Sequence, residues 1–278
     1  MIRSMFSAVT GLKSHQTMMD VIGNNIANVN TAGFKSSRVL FNDLYYQTLS
    51  SASKPSAGMG GVNPSQIGYG AAVGSVQVLN TRSGYKQTSR ALDMYISGEG
   101  YFTTSDTTGN MNYTRVGALE FDTEGNLLDS NNNYIMGITA GSIPPYTAAS
   151  LQKIKINNFS NYNEISISAD GTLTGMNTQT STIDVLGQLA IAVFNNPDGL
   201  SQEGSQYFRQ TGNSGVPTYT TAGGKLAGPL ISGGLEMSNV DLSNEFTDMI
   251  VAQRGFQANS RVITTSDQIL EELVNLKR

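Results

Sequence analysis

The sequence contains no cysteine and no tryptophan, and it has one histidine among 278 residues. The lack of cysteine excludes disulfides, thiolate metal sites and a cysteine nucleophile. Any histidine-dependent triad would have to use His15, which flanks a helical stripe and has no second histidine with which to share a metal. We interpret His15 as a solvent-facing helix residue.

Charge and long apolar runs are also scarce. Charged residues make up 14% of the chain, the formal charge is −4, and no block of like charges occurs, so a nucleic-acid partner is not expected. The longest apolar runs, such as LAIAVF at 189–194, fall far short of the roughly 18 residues that a membrane helix needs. The first twenty residues lack the continuous apolar segment of a cleaved signal peptide. We therefore expect neither membrane insertion nor a cleaved signal.

Catalytic and ligand-binding motifs are missing as well. The glycine cluster GYGAAVG at 68–74 does not have the spacing of a phosphate loop, and no G-x-S-x-G occurs. The stretch DSNNN at 129–133 lacks the glycine and the glutamate of a calcium loop. The sequence thus predicts no catalytic, metal-binding or cofactor-binding residues, and it does not indicate an enzyme.

What the sequence does contain is a helical pattern at each end. At the N-terminus, Ile2, Met5, Val9, Leu12, Gln16 and Met19 follow steps of three and four, and after a three-residue skip the stripe continues at Ile22, Ile26 and Val29. Several asparagines, which are poor helix-interior residues, interrupt the segment DVIGNNIANVNTAGFKSS at 20–37. We expect Asn24, Asn25 and Asn28 to bond a neighbouring molecule, and Gly33 to cap the helix.

At the C-terminus, one apolar column recurs every seven residues: Leu242, Met249, Phe256, Ile263 and Leu270. The companion column is mixed: Phe246, Gln253, Ser260, Asp267 and Val274. With Asp241 as its N-cap, the segment predicts a helix of roughly 35 residues. Since an apolar and a polar column need different partners, this pattern favours intermolecular assembly over the alternative, an intramolecular helix pair packed on a β domain.

The interior alternates short β-prone runs with turn signals such as ADGT, DTEGN and NPDGL. The predicted fold class is α+β, mainly β. The predicted domains are a helical domain from 1–34 with 239–278, an extended flexible connector at 35–80, and a β-rich outer domain at 81–238. The connector contains SSASKPSAGMGG at 50–61, which we expect to be extended or mobile.

Both ends resemble the axial proteins of the bacterial flagellum, the rod and hook family. The resemblance is carried by DVIGNNIANVNTAGFKSS at 20–37 and by SNVDLSNEFTDMIVAQRGFQANSRVITTSDQILEELVNLKR at 238–278. Interior stretches such as LDMYISGEGYFTT at 92–104 extend it over nearly the whole length. Within the family, NPSQIGYGA at 63–71 and the short length are most similar to hook proteins, and the distal rod protein is the alternative.

The resemblance implies a structural polymer. In this family the terminal helices form an inner coiled-coil tube with the β domain outside it, and the hook is a curved, flexible tube that passes torque from rod to filament as a universal joint. The implied partners are further copies of the chain, the distal rod protein, the hook cap, the hook–filament junction proteins and the flagellar export apparatus. The implied location is the flagellum, outside the cell, after type III export.

We predict an assembly interface on the terminal helices, which we expect to be largely disordered in the monomer and to fold on assembly. A competing function of another class is a secreted β-domain adhesin that oligomerises through its helices. The predicted interface residues are Met5, Val9, Leu12, Met19, Ile22, Asn24, Asn25, Ile26, Asn28, Val29, Leu242, Phe246, Met249, Gln253, Phe256, Ser260, Ile263 and Leu270.

Overall fold

The computed structural model describes residues 2–55, 60–106, 108–139, 144 and 146–276. Along the sequence, a β-rich middle lies between an N-terminal and a C-terminal helix, which confirms the predicted fold class. The chain divides into two compact units, each built from segments that are distant in sequence. The first unit contains residues 1–29, 36–79 and 240–278, and the second contains 30–35 and 80–239.

The first unit contains the two long helices, α1 at Ile2–Ala27 and α2 at Leu242–Leu276. The predicted length of the C-terminal helix is confirmed, since α2 has 35 residues. Its predicted N-cap is confirmed too, because the Asp241 carboxylate accepts a hydrogen bond from the backbone N–H of Ser243 at 2.9 Å. Within the described residues, no helix is long and apolar enough to cross a membrane.

The prediction that Gly33 caps the first helix is wrong. Helix α1 ends at Ala27, and the Asn28 N–H closes its last turn on the Asn24 and Asn25 carbonyls. Gly33 belongs to the second unit, where it has a positive φ of 70° and donates its N–H to the Glu236 carbonyl at 2.9 Å. The amides before it favour a turn once the helix has ended.

The segment for which the sequence predicts an extended connector forms two antiparallel strand pairs. Strand β1 (Ser37–Asp43) pairs with β4 (Ala71–Val78), and β2 (Tyr46–Ser50) pairs with β3 (Ser65–Gly68). Residues 56–59 of the Ser/Gly-rich stretch lie outside the described part of the chain. The flexibility of the connector and the predicted domain limits stay predictions.

The second unit is built from short antiparallel strands. Ten of them form one sheet, and three consecutive strands between residues 162 and 188 form a second. Two further pairs, 94–96 with 230–232 and 85–87 with 234–236, complete the unit. The strands are β5 (Tyr85–Gln87), β6 (Met94–Ile96), β7 (Tyr101–Ser105), β8 (Met111–Thr114), β9 (Leu119–Phe121), β10 (Leu127–Asp129), β11 (Tyr134–Ile138), β12 (Leu151–Lys153), β13 (Tyr162–Ile167), β14 (Thr172–Asn177), β15 (Ile183–Gln188), β16 (Ile191–Val193), β17 (Ser201–Gly204), β18 (Tyr207–Arg209), β19 (Thr218–Thr220), β20 (Leu230–Ser232) and β21 (Gly234–Glu236).

Two of the predicted turns join neighbouring strands as their residues require. Gly171 of ADGT has a φ of 78° between β13 and β14, and Gly125 of DTEGN has a φ of 80° between β9 and β10. Glycine adopts this left-handed conformation at no steric cost. The third signal, NPDGL, forms a short 3₁₀ helix at Pro197–Gly199 before β17.

Two clusters of buried side chains form the core of the second unit. One is aliphatic and includes Ile96, Leu119, Leu127, Leu189 and Ile191. The other is aromatic, formed by Tyr101, Tyr113, Phe194, Phe208 and Tyr219 with Ala192 and Leu200. The Tyr113 and Tyr219 hydroxyl groups lie 3.0 Å apart inside it, so these buried polar atoms are satisfied. The β-rich part therefore has a hydrophobic core of its own.

Candidate assembly interface

Helices α1 and α2 pack against each other in antiparallel orientation. Three pairs define the register: Gly11 lies against Asn259, His15 against Gly255, and Asn25 bonds Glu245. Residue numbers rise along α1 as they fall along α2, which is the mark of an antiparallel pair. The intramolecular helix pair that the sequence left open as an alternative is therefore present.

Small and polar side chains form the contact on α2, which we name the seam: Glu245, Ala252, Asn259 and Ser266. These residues recur every seven positions and so share one face of the helix, and Ala252 and Ser266 are buried. The predicted apolar column borders the seam and is half-buried at Met249, Phe256, Ile263 and Leu270. Hydrophobicity alone does not reveal the seam, but its seven-residue spacing is visible in the sequence.

Glycine allows the two helices to approach closely. A Cβ atom at Gly255 would lie 2.5 Å from the Nε2 atom of His15, and one at Gly11 would lie 2.8 Å from the Asn259 side-chain nitrogen. Because His15 packs on Gly255 and lies 6.1 Å from the ring of Phe41, it is half-buried. Our interpretation of His15 as a solvent-facing residue is wrong.

Asn25 is buried and uses its side-chain amide within its own chain. The amide nitrogen donates to the Ser37 carbonyl at 2.8 Å and to the Glu245 carboxylate at 2.9 Å, and the amide oxygen accepts the Ser37 N–H at 3.0 Å. The side chain thus joins α1, α2 and β1. Burial raises the pKa of Glu245 from its ordinary value, and the hydrogen bond from Asn25 opposes that shift.

The other two asparagines differ from Asn25. The Asn28 amide donates to the Asn24 carbonyl at 2.9 Å and to its side-chain oxygen at 3.1 Å, both within one turn. Asn24 itself is exposed. Because the amide of Asn25 bonds Ser37 and Glu245 of its own chain, its geometry does not support the predicted bond to a neighbouring molecule.

The eighteen predicted interface residues fall into three groups by exposure. Ile22 and Asn25 are buried. Val9, Asn24, Leu242, Phe246 and Gln253 are exposed, and the other eleven are half-buried: Met5, Leu12, Met19, Ile26, Asn28, Val29, Met249, Phe256, Ser260, Ile263 and Leu270. The buried and half-buried residues lie at or beside the contact between the two helices, whereas the exposed residues are open to a neighbouring molecule. The predicted set therefore includes both kinds of surface.

Large apolar side chains on both helices remain exposed. On α1, Ile2, Phe6 and Val9 are spaced as one helical face, and Phe6 is 62% exposed. The antiparallel register brings this face to the part of α2 that carries Val262, next to Ile269. The exposed apolar residues of α2 are Leu242, Phe246, Ile250, Val251, Val262, Ile269, Leu273, Val274 and Leu276.

These exposed residues lie in two places on the helix pair. One is the end formed by the start of α1 and the last turns of α2, where the register leaves residues 269–276 with no described residue of α1 opposite them. The other lies near the start of α2, at Phe246, Ile250 and Val251. Contiguous apolar surface of this kind marks interaction sites in soluble proteins. The heptad pattern does not predict most of these residues, because on α2 it follows only two columns of the helix surface.

Three family models match the chain. The model described as "Flagella basal body rod protein" matches residues 5–35, "Flagellar hook protein FlgE/F/G D1 domain" matches 95–175, and "Flagellar basal body rod FlgEFG protein C-terminal" matches 231–276. The first contains most of α1, and the last contains all of α2. The middle one begins in β6 and ends in β14.

Curated relatives match over the full length of both chains. The flagellar basal-body rod protein FlgG of Bacillus subtilis is 44% identical over 279 aligned positions, and that of Borreliella burgdorferi is 34% identical over 281. The flagellar hook protein FlgE of Borreliella burgdorferi is 28% identical over 442 positions. With such relatives and all three family models in order along the sequence, this chain belongs to the flagellar rod and hook protein family, a structural component of the flagellum.

Proposed function

We propose that this protein is a structural subunit of the flagellar rod that assembles with copies of itself through the exposed faces of α1 and α2. The observation that carries the proposal is the exposed apolar surface of the helix pair, where Phe6 is 62% and Val274 is 64% exposed. Removing apolar surface from water stabilises an assembly by roughly 25 cal/mol for each Å² that a neighbour covers.

The position of these faces supports an open polymer. One apolar face lies at the end of the helix pair with Ile2 and Phe6, and the other lies near Phe246 and Ile250. Two different faces on one subunit allow a head-to-tail contact, and such a contact builds a helical filament when its rotation does not close. A single face would instead favour a closed dimer.

The length of the relatives supports rod over hook. The alignment with the FlgG rod protein of Bacillus subtilis spans 279 positions for a chain of 278 residues, so it needs almost no insertion. The alignment with the FlgE hook protein of Borreliella burgdorferi spans 442 positions, which leaves a long stretch without a counterpart here. The segment NPSQIGYGA resembles hook proteins, but rod and hook proteins belong to one family. The hook is therefore the second candidate.

Deleting the gene separates the two candidates. For a rod subunit, isolated basal bodies end in an incomplete rod; for a hook subunit, they end in a complete rod that lacks the hook. Electron microscopy of basal bodies from the deletion strain, with the wild-type gene restored as the control, gives the answer. A deletion strain with normal rods and hooks would contradict both.

The proposal includes a location in the flagellum, no enzymatic activity, and neighbouring rod subunits, hook and export apparatus as partners. The adhesin alternative predicts small closed oligomers. Electron microscopy of the concentrated, purified protein distinguishes the classes, since long tubes or filaments favour an axial protein and closed oligomers of fixed size favour the adhesin.

A further inference from the structure

Residues 30–35, which we name the strap, dock within the second unit. The Gly33 N–H donates to the Glu236 carbonyl at 2.9 Å, and the Asn239 N–H donates to the Phe34 carbonyl. A Cβ atom on Gly33 would lie 2.8 Å from a methyl carbon of Val116, so the strap fits closely against the unit. The strap ends in Lys35, whose side chain is fully buried.

The Lys35 ammonium group binds the carboxylate of Glu236, which lies 201 positions later in the sequence. Its Nζ atom lies 2.6 Å from the Glu236 Oε1 atom and donates to the Thr81 carbonyl at 2.9 Å. The same Oε1 atom accepts the Ser83 N–H at 3.2 Å. Burial lowers the pKa of Lys35, and the carboxylates of Glu236 and, more weakly, Glu99 oppose the shift. Of these two, Glu236 is the buried one and the one that bonds the lysine directly.

A second cation lies next to the same carboxylate. The Arg115 Nη1 atom is 3.6 Å from Glu236 Oε2, just beyond hydrogen-bonding distance, and it donates instead to the Gly98 carbonyl at 2.8 Å. Among the described residues, neither Glu236 Oε2 nor Arg115 Nε makes a hydrogen bond. Both side chains are almost fully buried. The Arg115 guanidinium thus lies next to a buried carboxylate oxygen that it does not bond, and each group has a polar atom that would gain from a hydrogen bond.

The buried charges of the cluster do not balance while the strap is docked, because the other carboxylate that acts on Lys35, Glu99, is exposed to solvent. Lys35 and Arg115 supply two positive charges and Glu236 supplies one negative charge, all buried. If the strap leaves, the remaining Arg115 and Glu236 balance. Undocking therefore does not leave an unpaired buried charge in the unit, which is the usual cost of breaking a buried ion pair.

We propose that Lys35 and Arg115 are alternative partners of Glu236, so that the strap can undock while the rest of the second unit stays folded. In the docked state Lys35 holds Glu236 through Oε1. In the undocked state the Arg115 guanidinium closes the short gap to Glu236 and replaces the lysine. The inference rests on contacts inside the second unit alone, and it stands whether or not the protein forms a rod.

Removing the alternative partner tests the exchange. In Arg115→Met, an undocked strap would leave Glu236 buried without a cation, so we expect less undocking. The measurements are amide hydrogen exchange at Gly33 and acylation of Lys35 in the monomeric full chain, followed by mass spectrometry. Both should slow by at least about tenfold. The control is Arg209→Met, which breaks an exposed pair with Glu203 and should leave both rates unchanged.

The sign of this effect separates the exchange from a purely structural role. If Arg115 only stabilised the unit, its loss would loosen the strap and both rates would rise. Faster exchange at Gly33 or faster acylation of Lys35 in Arg115→Met, in protein that keeps the near-ultraviolet circular dichroism of its buried tyrosines, would overturn the proposal.

A second pair of variants decides the question if Arg115→Met does not fold. Lys35→Met leaves Arg115 and Glu236 as a balanced pair, so the melting temperature of the second unit should fall by less than about 3 °C. Glu236→Gln leaves two buried cations without a carboxylate, so it should fall by about 6 °C or more. Equal losses in the two variants would overturn the proposal.

Discussion

The side-chain amide of Asn25 lies 2.9 Å from the carboxylate of Glu245 and joins the last turns of α1 to the first turn of α2. The same amide forms two bonds with the backbone of Ser37, at 2.8 and 3.0 Å. An asparagine that is unfavourable for a helix interior therefore makes three hydrogen bonds with two residues on other segments. One residue fixes where both helices and β1 meet.

Replacing Asn25 tests that joint. In Asn25→Leu the Ser37 N–H and carbonyl and the Glu245 carboxylate lose their common partner, which should destabilise the first unit by about 1–3 kcal/mol for each buried group left unpaired. Thermal unfolding followed by far-ultraviolet circular dichroism measures the loss. Asn24→Leu is the matched control, since the Asn24 side chain is exposed and, within the described part of the chain, its bond is with the neighbouring Asn28. It should change stability by less than about 0.5 kcal/mol. Equal effects from the two variants would contradict the assignment.

The raised pKa of Glu245 predicts a pH dependence of the helix pair. Burial favours the protonated carboxyl, and the neighbouring Asp248 and Asp241 carboxylates act in the same direction. Since the pKa in the folded state lies above that in the unfolded state, the contribution of Glu245 is fully present below the unfolded pKa and is lost as the pH rises through the folded pKa.

Glu245→Gln should remove this contribution, because glutamine keeps the acceptor for Asn25 and carries no charge. Above about pH 4.5, the free energy of unfolding of the helix pair should depend less on pH in the variant than in the wild type. At pH 7 it should be higher in the variant. Urea unfolding at a series of pH values measures both. Parallel curves for the two proteins would show that Glu245 does not titrate as the structure indicates.

Two glycines of the helices should respond in opposite ways to alanine. Gly23 has open space around its position, so Gly23→Ala should stabilise α1 by about 0.5–1 kcal/mol through helix propensity. At Gly255 a new methyl group would lie within 2.5 to 3.0 Å of three atoms of the His15 ring. Gly255→Ala should therefore lose that gain and destabilise the helix pair. The free energies of unfolding give the comparison, and a similar gain at both sites would contradict close packing of the seam.

The monomer should protect its two units unequally from hydrogen exchange. Few large apolar side chains of the helices are buried, with Ile22 the main one, whereas the second unit buries an extended aliphatic and aromatic core. We therefore expect amides of α1 and α2 to exchange at least about a hundredfold faster than those of β7 and β11. Equal protection would contradict our expectation that the helices become stable only on assembly.

Much of the fold follows from local sequence signals. Asp241 and the seven-residue column from Leu242 predict α2, and the Asp–Gly turns predict the hairpins around Gly125 and Gly171. The prediction of an extended connector applied the Ser- and Gly-rich composition of 50–61 to the whole segment, although β1 contains Val39, Leu40 and Phe41. The pairing of β1 with β4 joins residues that are 28 to 41 positions apart, and local propensity does not encode such pairings.

The candidate interface was predictable only in part. The helical stripes identified the elements, but the contact between them is made by Gly11, Gly255, Ala252 and Ser266, whose small size, and not their hydrophobicity, allows close approach. Asn25 was recognised as unusual, yet its partners Ser37 and Glu245 are set by tertiary structure. The sequence does not predict the burial of Lys35, because its carboxylate partner lies 201 positions away.

The most direct test of the central claim, that exposed helix surface becomes an interface in the flagellum, uses the absence of native cysteine. A single Leu273→Cys substitution places a thiol on the exposed apolar surface of α2. Maleimide labelling is measured in the purified monomer and in basal bodies isolated from cells that carry the variant. We expect rapid labelling of the monomer and strong protection in the basal bodies. Equal labelling of both, or the absence of the protein from basal bodies, would contradict the account.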